Sequence, residues 1–163
     1  MSKRIEKLLK DYPELVQERD YLVHQLAHFK GVSTVDVIES MYTPRMDGER
    51  VQTSNLSDKT AQIALTYQER QERINRDWFE YLENRLRVVC EQIGFVESAI
   101  CALPNQLSGV MWDMIVEGMT WAAIAEKFNT CRSNVGKLRK KAIIKMEIIY
   151  DKQIQEATKY LLE

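Results

Sequence analysis

From Phe79 the chain sets Leu82, Leu86, Val89, Ile93, Val96, Ile100 and Leu103 at alternating steps of three and four residues. Eight apolar positions in that register, with no proline among them, put one continuous stripe on one side of a long α-helix. A stripe of this length must be covered. The same periodicity serves a core face packed against helices elsewhere in the chain and a coiled coil that pairs subunits. Only six glycines and three prolines interrupt 163 residues, so the expected fold is all-α. The expected arrangement is an N-terminal helical or coiled-coil region followed by a C-terminal helix-turn-helix.

The N-terminal part, 1–42, reads as amphipathic helices. Ile5, Leu8, Tyr12, Leu15, Leu22, Leu26 and Phe29 fall on one helical face. Pro13 belongs in the first turn of a helix, because an interior proline loses a hydrogen bond and crowds the preceding turn, so a break is expected near residue 12. Gly31 fits a helix stop, and Ser33 with Asp36 three residues on fits the cap of a short helix reaching about Met41. Residues 43–57 mix proline, glycine, serine and asparagine without hydrophobic periodicity and read as a linker. Ser57 and Asp58 are placed to cap the long helix, 58–103. Within it, QERQERINRD (68–77) reads as a solvated face.

The net charge of -1 conceals an uneven distribution. Residues 1–103 carry 14 basic and 17 acidic side chains, whereas 104–145 carry seven basic against three acidic, net +4, and 146–163 return to -2. One basic stretch on a near-neutral body suggests a local contact with a polyanion.

That stretch has internal structure. Pro104 can restart a helix in which Leu107, Val110, Met111, Met114 and Ile115 keep helical spacing until Gly118. Thr120 can cap a second helix whose Trp121, Ile124, Ala125 and Phe128 turn inward, while Ala122 and Ala123 admit a close neighbour. Asn129 suits the left-handed residue that ends it. A third helix starts near Cys131, with Val135, Leu138, Ala142 and Ile143 inward and a basic or polar outer face. Arg132, Ser133, Asn134 and Lys137 occupy its first two turns, where a helix in the major groove presents side chains to base edges. Arg139, Lys140, Lys141 and Lys145 follow, where they would neutralise phosphates. These eight residues are the candidate site, and double-stranded DNA is the expected partner.

Leu103-Pro104 through Ala142, including MTWAAIAEKFNTCRSNVGKLRKKAI, resembles region 4 of sigma-70-type factors. Upstream, GERVQTSNLSDKTAQIAL (48–65) leading into a long charged helix resembles the RinA/ArpU-type phage transcriptional activators. The resemblance implies a helix-turn-helix over 104–146, with 147–163 as a helical extension, in a transcription activator of phage or prophage late genes working in the cytoplasm of a bacterial host. It departs from the pattern at Cys131, in place of a serine cap, at Gly136, in place of a larger residue, and at Asp113-Met114, in place of Arg-Tyr. RNA polymerase contact and homodimer formation are further expectations. A small terminase-like DNA-packaging subunit would carry a similar pattern, as would a module that binds RNA polymerase or sigma without recognising a promoter itself.

Other chemistry is sparse. Cys90, Cys101 and Cys131 are odd in number and lack CxxC spacing, which argues against a disulfide framework or zinc site. His24 and His28 stand four apart with no third ligand at suitable spacing. Glycine-rich phosphate loops and nucleophile elbows are absent, and the carboxylates fall on faces expected to be solvated, so no catalytic residue, metal or cofactor is expected. No stretch is apolar enough to span a membrane, and MSKRIEKLLKDY lacks the form of a signal peptide.

Overall fold

A computed structural model describes residues 3–42 and 56–162, with the side chains of Lys3, Tyr42, 56–59 and Leu161 excepted. The described residues form six α-helices and no strand: α1 Lys3–Ala27, α2 Thr34–Tyr42, α3 Leu56–Cys101, α4 Asn105–Ile115, α5 Trp121–Lys127 and α6 Arg132–Leu162. The linker expected over 43–57 lies outside the described residues up to 55, as does any capping by the Ser57 and Asp58 side chains. No helix among the described residues is long and apolar enough to cross a membrane. The chain divides into two compact units, one of Met1–Tyr21 with Arg87–Glu163 and the other of Leu22–Leu86.

The break expected near residue 12 does not occur: Pro13 sits inside α1. The ring points to solvent, while Ile5, Leu9, Tyr12 and Leu15 are buried on either side of it. The cost of an interior proline, about 3 kcal/mol in an isolated helix, is outweighed by burying Ile5 and Leu9 before it and Leu15 after it in one core. Tyr12 fixes the register further, its hydroxyl donating to Glu97 Oε1 at 2.7 Å.

Six of the eight stripe residues, Leu82, Val89, Ile93, Val96, Ile100 and Leu103, are at most 5% exposed within the single chain. The stripe is therefore a core face, already covered and not a free pairing surface. In the larger unit its C-terminal part joins Ile5 and Leu9 of α1, Val110 and Met111 of α4, Ile124 of α5 and Val135, Ala142, Ile143 and Met146 of α6. Phe95 of α3 meets Tyr150 of α6 edge to face, ring centres 5.2 Å apart.

The smaller unit buries Leu22, Val37, Ile63 and Leu82. Gly31 has φ +73°, and an added Cβ would meet the Asn75 carboxamide at 2.7–2.8 Å, so glycine is required there. Ser33 caps α2 as expected, its Oγ accepting from Val35 N at 3.2 Å. The 68–77 segment is mostly exposed, but two of its residues clamp the α1–α2 connection. Asn75 Oδ1 accepts from Val32 N at 2.7 Å, and Gln71 Nε2 donates to Val32 O at 2.8 Å. Capturing the backbone of a turn leaves no periodic trace in sequence.

Candidate nucleic-acid interface

The basic stretch resolves into α4, α5 and the first half of α6, which pack on one another. Pro104 is the residue before α4, with φ -54° and ψ 144°, and its carbonyl accepts from Ser108 N at 2.9 Å. Gly118, at φ +64°, turns the chain into α5. Thr120 caps α5 through Oγ1, which accepts from Ala123 N at 3.3 Å. Asn129 is left-handed at φ 48°. Asn129 N bonds Glu126 O at 3.1 Å and Thr130 N bonds Ala125 O at 2.8 Å. That pair of bonds satisfies carbonyls at the end of α5 and fixes the four-residue connection 128–131.

Cys131 ends the connection. Its carbonyl accepts from Asn134 N and Val135 N at 2.9 and 3.2 Å, opening α6, and its Sγ lies 3.1 Å from Ser133 Oγ. The Ser133 hydroxyl, followed by the Asn134 backbone N–H, favours the thiolate and lowers the Cys131 pKa from its ordinary value.

Val135, Leu138, Ala142 and Ile143 are buried, as their spacing requires. Opposite them Ser133, Lys137, Lys140 and Lys141 are exposed on one outward face, with Arg132 and Lys145 exposed beside it. The remaining two candidates are more engaged. Asn134 is half-buried, its Nδ2 donating to Thr130 Oγ1 at 2.8 Å, and Arg139 is half-buried. From Arg132 to Met146 the helix carries no acidic residue. At 1.5 Å per residue, Arg132 to Lys137 spans about 8 Å, inside a major groove about 12 Å wide, whereas Lys145 lies about 20 Å along.

Two features differ from the sequence reading. Asp113 is not solvated: it is 5% exposed, and Lys127 Nζ lies 2.8 Å from its Oδ1 and 2.7 Å from its Oδ2, tying α4 to α5. Lys127 is thereby neutralised and leaves the free basic set. Trp121 does not turn inward. It stays 42% exposed beside Gly136, while Ile124 and Ala125 are buried and Phe128 is half-buried. α6 continues without a break to Leu162, and Ile144, Ile148 and Ile154 on it are 57%, 64% and 42% exposed.

Elsewhere, the three cysteines are free and exposed. His24 and His28 stack with ring centres 4.3 Å apart, and the described residues contain no cluster of three His, Cys, Asp or Glu able to hold a metal ion.

No family model matches this chain, and no curated protein or solved structure matches it either.

Proposed function

We propose that residues 103–146 form a helix-turn-helix in which α5 and α6 are the two helices of the motif and α6 enters the major groove of double-stranded DNA. The observation that carries this reading is the exposed face of α6, where Ser133, Lys137, Lys140 and Lys141 point outward with no carboxylate among them, above a fully packed inner face. A solvated helix gains nothing from excluding acidic residues over fifteen positions, because alternating charges would stabilise it better. A polyanion contact accounts for the exclusion.

In this reading Arg132, Ser133, Asn134 and Lys137 meet base edges, with Asn134 held in place by Thr130, while Arg139, Lys140, Lys141 and Lys145 meet phosphates. The likeness to sigma region 4 and to RinA/ArpU-type activators extends the proposal to activation of phage or prophage late genes, by a protein that also contacts RNA polymerase and acts as a dimer in the bacterial cytoplasm. Dimerisation would use a surface other than the buried stripe. Selection of fragments bound from a genomic pool tests the proposal. Recovery of one shared sequence supports it, and recovery of unrelated fragments, or of none, contradicts it.

A further inference from the structure

Trp121 opens α5 with 42% of its surface exposed, although a large aromatic ring beside a core ordinarily turns into it. Its position is set by Gly136: a Cβ built there would lie 3.3 Å from Trp121 Cζ3 and 3.8 Å from Cη2. The benzo edge of the indole therefore rests in a notch in α6 that the absence of a side chain creates. Arg132 and Ser133 lie one turn before that notch and Arg139 and Lys140 one turn after it, so the ring stands among four of the candidate DNA-contacting residues. No group among the described residues accepts a hydrogen bond from its Nε1, whereas Trp112 Nε1 donates to Glu117 Oε1 at 3.2 Å.

We infer that Trp121 is itself part of the DNA interface, with its exposed ring against the deoxyribose of the strand flanking the groove and Nε1–H directed to a phosphate oxygen. The inference rests on the proposed DNA-binding reading and adds a contact from α5, the helix that would cross the backbone while α6 lies in the groove. A half-exposed indole with an unused donor suits a surface that is apolar at the sugar and anionic at the phosphate. Such a contact is insensitive to sequence. Because the ring is uncharged, it releases no counterion, and its removal weakens binding without altering the salt dependence.

The test uses the full chain with Trp78→Phe and Trp112→Phe, leaving Trp121 as the sole tryptophan. Acrylamide quenching of its fluorescence is measured with and without a random-sequence duplex at low salt, and binding is followed in parallel by anisotropy of the labelled duplex. The inference predicts that quenching falls severalfold on the bound complex. It also predicts that Trp121→Ala weakens binding to any duplex roughly tenfold at an unchanged salt slope. Anisotropy reporting binding with unchanged quenching overturns the Trp121 contact and leaves DNA binding standing. Absence of binding to any duplex removes both. The quenching measurement keeps the native Trp121, so a folding defect in Trp121→Ala cannot obscure it.

Discussion

Replacing Lys127 by methionine breaks an ion pair whose carboxylate is buried. The Asp113 side chain is 7% exposed and that of Lys127 53%, with Nζ within 2.8 Å of both carboxylate oxygens. Breaking a fully buried pair from one side costs about 3–5 kcal/mol, because the remaining charge is left in a poor solvent. Here the ammonium is half in water, so the pair is partly screened and the expected loss for Lys127→Met is about 2–3 kcal/mol. Asp113→Asn removes the charge that needs a partner and frees Lys127 to solvent, so it should cost about 1 kcal/mol. The double substitution should then be more stable than Lys127→Met alone. Urea and thermal unfolding of all four proteins give the coupling directly, with Lys127→Met lowering Tm by about 5–10 °C. A Lys127→Met protein within about 0.5 kcal/mol of the parent, or no more destabilised than Asp113→Asn, would refute this account of the α4–α5 junction.

Burial, followed by the hydrogen bond to Glu97, pushes the Tyr12 pKa up from 10.0 to about 12. A raised folded-state value means the contribution is complete below pH 10 and is lost as pH rises toward 12, so stability should fall across that window, and Tyr12→Phe should flatten the decline in a pH series of urea midpoints. Among three exposed cysteines, Cys131 should react fastest with a thiol reagent at neutral pH, and Ser133→Ala should slow it. Equal rates at Cys90, Cys101 and Cys131 would contradict the assigned cause. Arg132→Ala should relax sequence preference by about 1–3 kcal/mol at the base it reads, whereas a uniform loss over unrelated duplexes would move it to the phosphate group.

The fold is legible in the sequence where burial follows period. The stripe through α3, the inward residues of α6, and the turns at Gly118 and Asn129 all appear at their expected places, because each rests on spacing or on one residue's backbone preference. Features that depend on partners distant in sequence are not legible in this way. Pro13 reads as a helix boundary because its local cost is visible, while the packing of Ile5, Leu9, Tyr12 and Leu15 that offsets it is not. Asp113 falls on a face that spacing marks as solvated, and only the approach of Lys127 from α5 makes its burial tolerable. Gly136 reads only as a departure from the sigma-like pattern, because the indole that fills its notch comes from another helix. The candidate residues from Arg132 to Lys145 fall on an exposed face as a group, yet Asn134 and Arg139 are more enclosed than their neighbours, a distinction set by Thr130 and by packing rather than by helical angle.

In the proposed complex the outer face of α6 holds DNA through Lys140 and Lys141, each neutralising a phosphate. Affinity for a duplex recovered by selection, measured against salt concentration for the parent chain and for Lys140→Ala/Lys141→Ala, tests it most directly. The double substitution should weaken binding and lower the slope of log affinity against log salt by about 2, close to one for each phosphate no longer neutralised. An unchanged slope, or a parent chain that binds no duplex even at low salt, would contradict it.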